Sequence, residues 1–287
     1  ILEEQGLATL ITDAMAIDVE DQKLGLNGWS DLVDLIKSPK ERLKIAVVGK
    51  YVDLHDSYMS VKEALIHAGL FHSRDIEIDW IGAEDVENDG AAHYLSNVDG
   101  IVVPGGFGYR GVEGMIDTVK FARENNVPYL GLCLGMQVMV IEAARNLLGK
   151  EGANSSEFDS DTKDPVIDLM LDQVDVKEKG GTMRLGVYPC VIEDGSITSR
   201  AYGTKNIMER HRHRFEFNNA YKDDLKSVGL LPTGISPDGQ LVEIVEYKSH
   251  PFMAGTQFHP EFLSRPTRPH PLFREFIAVA GGFEPNS

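Results

Sequence analysis

Cys133 is the residue of this chain with the clearest signs of nucleophilic chemistry. It lies in the run Gly131-Leu-Cys-Leu-Gly135, directly after a predicted buried strand and directly before a predicted helix. Glycines two positions before and after it would relieve crowding where the backbone turns sharply, as in a nucleophile elbow. The following helix points its positive end at the sulfur, which favours the thiolate over the thiol. A cysteine between glycines can also be an apolar core residue, but this strand–turn–helix context favours a nucleophile.

His259 and Glu261 could supply the base that a cysteine nucleophile needs. They lie in Gln257-Phe-His-Pro-Glu261, just after a predicted strand, and positions two apart share one side of an extended chain. Glu261 can then hold one imidazole nitrogen while the other nitrogen faces the sulfur. The pattern is weak alone, because the chain has nine histidines. Together with the elbow it predicts a triad of Cys133, His259 and Glu261.

A glycine-rich loop is the third part of the predicted site. The run Pro104-Gly-Gly-Phe-Gly108 follows a predicted buried strand, so its N–H groups lie at the same sheet edge as the cysteine. The N–H groups of Gly106 and Leu134 can together stabilise the oxyanion of a tetrahedral intermediate. The loop could instead be a flexible turn or a phosphate loop. It lacks the Lys-Ser/Thr of a Walker motif and the spacing of a dinucleotide fingerprint.

The elements that position these residues alternate between strands and helices. The strands and helices predicted from apolar periodicity are 44–49, 75–81, 98–103, 112–125, 127–132 and 134–148. A further helix is predicted to be capped by Asp56 or Ser57 and to end at Gly69. Such alternation indicates a three-layer α/β/α fold with a mostly parallel central sheet. Shorter strands after Met183 predict a smaller antiparallel addition, and residues 150–182 a polar excursion from the sheet.

Composition limits the classes of partner. The 287 residues carry a formal net charge of −17, which disfavours broad binding to nucleic acid or to an anionic membrane. The most apolar stretch, 127–141, is shorter than the ~20 residues of a membrane span. The two cysteines exclude a disulfide scaffold and favour a reducing compartment. We therefore expect a cytoplasmic protein with neither a nucleic acid nor a membrane as its partner.

The first 43 residues differ in pattern from the rest of the chain. Their short apolar patches are interrupted by Gly25, Gly28 and Pro39 and lack a self-sufficient core. This predicts a linker or the end of a preceding domain at 1–43, followed by one domain at 44–287. Because the chain begins at Ile1 rather than at Met, we also expect it to be a piece of a longer protein.

Three motifs of this chain resemble those of a known enzyme family. Pro-Gly-Gly-Phe-Gly, Gly-Leu-Cys-Leu-Gly-Met-Gln and Gln-Phe-His-Pro-Glu resemble the motifs of the class I, triad-type glutamine amidotransferases. Five longer strings are most similar to the C-terminal glutaminase domains of the CTP synthase family: 48–51, 104–115, 153–158, 180–186 and 209–216. The resemblance spans about Lys44 to Gly281. It implies a flavodoxin-like fold and hydrolysis of L-glutamine to glutamate and ammonia through a cysteine thioester.

The resemblance also implies roles for individual residues. Cys133 would attack the glutamine carboxamide, His259 would carry the proton to the departing ammonia, and Glu261 would orient His259. The positions implied to bind glutamine, the first two of them also as oxyanion donors, are Gly106, Leu134, Gly135, Met136, Gln137, Glu157 and Arg214. Charge complementarity agrees, because the α-amino group of glutamine suits the Glu157 carboxylate and its α-carboxylate suits the Arg214 guanidinium.

Partners and cofactors follow from the same resemblance. It implies that ammonia passes to an N-terminal synthetase domain, which aminates UTP to CTP with ATP and Mg²⁺. This domain itself would hold no cofactor and no metal. The full-length enzyme would be a homo-oligomer, expected as a tetramer, with GTP as an allosteric activator. Arg110, just past the glycine-rich loop, is the candidate residue for that regulation.

The run Arg210-His-Arg-His-Arg214 invites two other interpretations. On a strand its arginines would share one face and its histidines the other. No Cys, Asp or Glu cluster with metal-ligand spacing accompanies the histidines, and no interleaved aromatic residues suggest a base-stacking surface. A local anion-binding face fits best, with glutamine carboxylate at Arg214 and nucleotide phosphate or structural carboxylates at the rest.

Three alternative functions stay open at this level. The first is an amidotransferase for another acceptor, which the strings around Arg110 and Arg214 disfavour. The second is a γ-glutamyl hydrolase, which would need an open cleft for a polymeric substrate. The third is a non-catalytic module that keeps the fold, which the intact triad disfavours.

Overall fold

The chain forms two compact units, Ile1–Pro39 and Lys40–Ser287. The structure, a computed structural model, describes residues 5–17, 27–169 and 183–283. The described part of the first unit contains helices α1 (Leu7–Ala14) and α2 (Asn27–Lys37). Its assignment to a linker or a preceding domain stays a prediction. The first strand of the second unit begins at Glu41 rather than at the predicted Lys44.

The second unit alternates strands and helices along the chain. Its helices are α3 (Met59–Phe71), α4 (Ala83–Asp89), α5 (Ala91–Leu95), α6 (Val112–Asn125), α7 (Leu134–Asn146), α8 (Ile197–Tyr202), α9 (Lys222–Ser227) and α10 (Pro271–Ala280). Its strands are β1 (Glu41–Gly49), β2 (Arg74–Gly82), β3 (Gly100–Val103), β4 (Tyr129–Leu132), β5 (Asn154–Ser155), β6 (Pro165–Leu169), β7 (Arg184–Ile192), β8 (Asn206–His213), β9 (Phe215–Phe217), β10 (Leu230–Ile235), β11 (Val242–Tyr247) and β12 (Met253–Thr256).

One mixed sheet carries most of these strands. Its order is β2-β1-β3-β4-β12-β11-β10-β7-β8, and β5-β6-β9 form a second, smaller sheet. The strands from β2 to β12 pair in parallel, whereas those from β12 to β8 pair antiparallel. The predicted α/β fold is confirmed. The predicted antiparallel addition lies mainly in the same sheet, because β12 pairs with β4 on one side and β11 on the other.

Helices cover both faces of the sheet, as the alternation of side chains along β1 shows. Leu43, Ile45 and Val47 pack in one apolar cluster with side chains of α3 and α10. Ala46 and Val48 point the other way and belong to the cluster formed with α6 and α7. A strand buried on both faces explains why its sequence is continuously apolar rather than alternating. The three layers place the carboxyl ends of β3, β4 and β12 at one edge.

Helix α3 differs from its prediction at both ends. Residues His55–Tyr58 form a 3₁₀ turn and the α-helix begins at Met59. In this turn the Tyr58 hydroxyl accepts the N–H of Lys50 at 3.0 Å. Gly69 does not end the helix, which continues to Phe71. A Cβ at Gly69 would lie 2.5 Å from the Ile76 side chain, so this glycine permits a close approach to β2.

The predicted polar excursion at 150–182 is only partly visible. Residues 154–155 and 165–169 form β5 and β6, and 170–182 lie outside the described residues.

In the described ranges, no helix has both the length and the apolar composition to cross a membrane.

Candidate active site

Cys133 occupies a strained turn between β4 and α7. Its φ of 53° and ψ of −98° lie in a region that residues other than glycine rarely adopt. The surrounding structure holds this conformation: the Cys133 N–H donates to the Thr256 carbonyl at 2.6 Å, and its carbonyl accepts the Met136 N–H at 3.1 Å. The side chain thus stands at the carboxyl edge of the sheet, at the first turn of α7, as the sequence predicts for an elbow.

The glycines that flank the cysteine are required by close backbone approach. A Cβ at Gly131 would lie 2.6 Å from the carbonyl carbon and oxygen of Gly135. A Cβ at Gly135 would lie 2.1 Å from the carbonyl oxygen of Val103. Both distances are far inside van der Waals contact with backbone atoms, which have no freedom to move away. The crowding expected from the sequence is therefore confirmed at both glycines.

His259 and Glu261 form a buried pair beside the cysteine. The His259 Nδ1 hydrogen bonds to the Glu261 Oε1 at 2.7 Å, and both residues are less than 10% exposed. A Cβ at Gly105 would lie 2.9 Å from His259 Cε1 and 3.6 Å from Cys133 Cβ, so both side chains flank the same glycine. His259 also stacks on Phe262, with ring centroids 5.0 Å apart. The imidazole is thus fixed in place, with Nε2 as its remaining nitrogen.

The environment of His259 favours the imidazolium. Burial by itself would lower the pKa of His259, but the negative charge of Glu261, together with the Cys133 sulfur, raises that pKa well above its ordinary value. A protonated imidazole next to a thiolate is the resting state that a cysteine nucleophile needs, because the imidazolium can later release its proton to a leaving group.

The glycine-rich loop contacts the first residue of α7. A Cβ at Gly106 would lie 3.2 Å from Leu134 Cδ2, so the two predicted oxyanion donors belong to adjacent residues in space. The loop is held by Lys50, whose Nζ donates to the carbonyls of Phe107, at 3.4 Å, and Gly108. Burial lowers the pKa of Lys50 to about 8 despite the nearby carboxylate of Glu157. Sequence patterns did not indicate this role for Lys50.

Two cavities meet at Cys133. The larger has a volume of about 410 Å³ and is lined among others by Gly106, Gln137, Glu157 and Arg214. Glu157 and Arg214 thus line the same cavity as Cys133. Their opposite charges are complementary to the α-amino and α-carboxylate groups of an amino acid. Glu157 also accepts the N–H of Gly108 at 2.9 Å, which ties the cavity to the oxyanion loop.

The second cavity is lined by all three residues of the predicted triad. It has a volume of about 300 Å³ and is lined among others by Tyr58, Phe107, Arg212, His259 and Glu261. The Arg212 guanidinium lies over the Phe107 ring, 5.8 Å from its centroid. Cys133 therefore lines both cavities, whereas His259 and Glu261 line only the smaller one.

Four of the predicted residues do not line either cavity: Leu134, Gly135, Met136 and Arg110. Gly135 and Met136 are buried in the first turn of α7, where Gly135 accepts a hydrogen bond from the Tyr129 hydroxyl at 2.9 Å and Met136 packs in the apolar core. Arg110 lies at the rim of the loop, where it pairs with Glu84 at 2.7 Å and donates to the Lys50 carbonyl at 2.9 Å. These contacts give Gly135 and Met136 a packing role and connect Arg110 to the loop through Lys50.

The alternation predicted for Arg210-His-Arg-His-Arg214 holds along β8. Arg210 and Arg212 are exposed, whereas His211 and His213 are buried and share a hydrogen bond of 2.8 Å. The strand ends at His213, so Arg214 leaves the arginine face and lines the larger cavity instead. Within the described ranges, no group of three or more His, Cys, Asp or Glu side chains is arranged to hold a metal ion.

Gln257 is a further site residue that sequence reasoning did not single out. Its amide Nε2 lies 3.6 Å from the Cys133 Sγ. A signal was available in the motif Gln257-Phe-His259, because residues two apart on an extended chain face the same side. The side of the chain that brings His259 to the sulfur brings Gln257 there as well.

Comparison with known proteins agrees with this architecture. The family described as "Glutamine amidotransferase class-I" matches residues 53–279. A CTP synthase of Dehalococcoides mccartyi is 58% identical over 97% of this chain and 51% of its own length. A CTP synthase of Roseiflexus sp. is 56% identical over 98% of this chain and 50% of its own length. The chain thus spans about half the length of these curated relatives.

A solved structure of a separate domain is also similar to this chain. The Trypanosoma brucei CTPS glutaminase domain with bound acivicin superposes with a TM-score of 0.79 and 38% identity, over 84% of this chain and 95% of that one. The motifs that predicted the triad lie within the matched family region. The chain accordingly belongs to the class I glutamine amidotransferase family, in the branch of the CTP synthase glutaminase domains.

Proposed function

We propose that this chain hydrolyses L-glutamine at Cys133 and supplies the ammonia to a synthetase domain that aminates UTP to CTP. The proposal is carried by one observation, the arrangement of the side chains around Cys133. A cysteine on a strained elbow lies beside a buried His259–Glu261 pair and lines a cavity that is also lined by Glu157 and Arg214. The nucleophile, the base and a charge-complementary amino-acid site are thus together.

The first half of the reaction forms a thioester. The Cys133 thiolate bonds to the carboxamide carbon, and the carbonyl electron pair moves to oxygen, where the N–H groups of Gly106 and Leu134 would stabilise it. His259 gives its proton to the amide nitrogen, the C–N bond breaks, and ammonia leaves. His259 is then neutral, and Glu261 continues to hold its Nδ1.

The second half releases glutamate. Neutral His259 removes a proton from water, whose oxygen bonds to the thioester carbon. The tetrahedral intermediate then expels the Cys133 thiolate, which restores the thiolate–imidazolium pair. Every step uses side chains and backbone N–H groups of this chain together with water, so the proposal assigns it no cofactor or metal of its own.

The wider setting is part of the same proposal. The relatives named above are CTP synthases of about twice this length. We therefore assign ATP and Mg²⁺ to the synthetase domain and GTP to regulation, with Arg110 as the candidate contact. The full-length protein is proposed to be a cytoplasmic homotetramer.

Substitution of Glu157 tests the substrate assignment. In a full-length enzyme, Glu157→Gln should raise the KM for glutamine about tenfold or more, because a charge-assisted hydrogen bond becomes a neutral one. CTP synthesis from added ammonia should be unchanged, since ammonia bypasses the glutaminase site. Cys133→Ala should abolish glutamine-dependent synthesis and leave the ammonia-dependent reaction intact. Loss of both reactions in Glu157→Gln would contradict the assignment.

A further inference from the structure

The Gln257 side chain makes a contact with the nucleophile that the triad does not explain. The residue follows β12 directly and is completely buried. Its Nε2 is placed to donate a hydrogen bond to the Cys133 Sγ over 3.6 Å. Sulfur is a weak hydrogen-bond acceptor, and buried amides usually donate to oxygen atoms. A buried amide that donates to a cysteine sulfur therefore suggests a function for this contact.

The orientation of this amide is fixed by a chain of hydrogen bonds. The Gln137 Nε2 donates to the Phe215 carbonyl at 3.2 Å and to the Gln257 Oε1 at 3.3 Å. A backbone carbonyl can only accept, so the end of Gln137 that faces it must be the NH₂ group. The same NH₂ group holds the oxygen of Gln257, and the NH₂ group of Gln257 is therefore the end that faces the sulfur.

From this geometry we propose that Gln257 is a catalytic residue that stabilises the Cys133 thiolate by donating an amide hydrogen bond to Sγ, with Gln137 as its positioning residue. The proposal rests on the proposed function, in which sulfur is an anion before the attack and again after deacylation. Hydrogen bonds to a charged acceptor are stronger than neutral ones. The bond weakens as the S–C bond forms and is restored when the thioester is broken.

Other charged and titratable groups line the cavities at Cys133 and must be kept constant in a test. Those that line the two cavities around Cys133 are Tyr51, Tyr58, Glu157, Arg212, His213, Arg214, His259 and Glu261. A substitution of Gln257 by methionine changes none of these and introduces no charge. It keeps the length of the side chain and removes only the donor and acceptor.

The test is the rate of Cys133 alkylation by iodoacetamide as a function of pH, followed by mass spectrometry of the Cys133 peptide. In Gln257→Met we expect the midpoint of the profile to rise by about one pH unit. A less stabilised thiolate is also more nucleophilic, so the two profiles should cross: about threefold slower than wild type well below the midpoint and about threefold faster well above it. If the substitution only moved the sulfur, the alkylation rate would change by the same factor at every pH and the midpoint would stay the same.

Thr256→Val is the matched control. Thr256 is the adjacent residue, equally buried, and its hydroxyl donates to the Phe258 carbonyl at 3.0 Å rather than to sulfur. This variant should unfold more easily and keep the wild-type midpoint. An unchanged midpoint in Gln257→Met, or an equal shift in Thr256→Val, would overturn the proposal.

A measurement on the unsubstituted protein covers the case in which Gln257→Met does not fold. The chain has six glutamines, so selective ¹⁵N labelling of glutamine side chains gives a short set of NMR signals. One side-chain NH₂ pair should titrate with the midpoint of Cys133 alkylation and should stop titrating once Cys133 is alkylated. Absence of any such pair would overturn the role of Gln257. Because alkylation needs no glutamine, a protein that shows the shift but does not hydrolyse glutamine would instead overturn the proposed function.

Discussion

Replacing Glu261 by glutamine should remove the charge that keeps His259 protonated while preserving the shape of the site. The Glu261 Oε1 lies 2.7 Å from the His259 Nδ1, and both residues are buried. A hydrogen bond to a charged group contributes about 1.5–3 kcal/mol and a neutral one about 0.5–1.5 kcal/mol. The imidazolium form of His259 loses this difference of ~1.5 kcal/mol, so the pKa of His259 should fall.

The effect on catalysis should exceed the effect on protonation. An amide at position 261 can present either its oxygen or its NH₂ group to Nδ1, so the tautomer of His259 is no longer fixed. Loss of tautomer control in a serine protease triad costs about 10⁴-fold in kcat. We expect kcat for glutamine hydrolysis to fall by about 10²–10⁴-fold. The KM should change little, because Glu261 does not line the cavity with Glu157 and Arg214.

A second buried His–Glu pair provides the control. Glu209 accepts from the His270 Nε2 at 3.0 Å, and both are almost fully buried, outside the cavities around Cys133. Glu209→Gln should cost stability and leave steady-state glutaminase kinetics within about threefold of wild type. A folded Glu261→Gln variant with near-wild-type kcat, or an equal loss of activity in Glu209→Gln, would refute the reasoning.

The same substitution predicts a pH dependence of stability. The pKa of His259 is raised in the folded state, so the stabilisation from its charged pair is fully present below the ordinary histidine pKa of about 6.5. It is lost as pH rises through the folded-state pKa. Urea unfolding should therefore show a larger difference between wild type and Glu261→Gln at pH 6 than at pH 9. A difference that grows with pH would contradict the assignment of the charge state.

Three further substitutions test separate parts of the site. Gly135→Ala forces a Cβ to within 2.1 Å of the Val103 carbonyl oxygen, so urea titrations should show a free energy of unfolding lower by about 3 kcal/mol. An unchanged free energy of unfolding would contradict the close approach. Lys50→Met removes the donors to the loop carbonyls and should lower kcat about tenfold with little change in KM, whereas a pure KM effect would show that Lys50 acts on binding. Arg214→Met should raise the KM for glutamine about tenfold or more without slowing alkylation of Cys133, and an unchanged KM would remove Arg214 from the substrate site.

Local patterns predicted the parts of the site that depend on local backbone geometry. The spacing of Gly131, Cys133 and Gly135 predicts a strand–turn–helix by itself. In such a turn the backbone at these two positions packs closely against the following helix and the neighbouring strand, and a Cβ there would clash. Helix α6 begins and ends where its apolar period predicted. These features involve few residues and short sequence separations.

Contacts between distant segments could not be derived in the same way. Lys50 reaches the Gly108 carbonyl across 58 positions of sequence, and Gln137 reaches Gln257 across 120. Each contact exists only after β1, α7 and β12 are packed at one sheet edge. The start of α3 also differs from its local capping signal, since residues His55–Tyr58 form a 3₁₀ turn in which the Tyr58 hydroxyl accepts the Lys50 N–H.

The covalent site of reaction is the most direct test of the account. The chain is incubated with an electrophilic glutamine analogue, with and without excess glutamine, and the adduct is located by peptide mass spectrometry. Burial raises the pKa of the Cys190 thiol well above its usual value, so this second cysteine should stay unmodified. We predict one adduct, on Cys133, that glutamine prevents. An adduct on Cys190, or labelling of Cys133 that excess glutamine does not reduce, would contradict the claim that Cys133 is the nucleophile of a glutamine site.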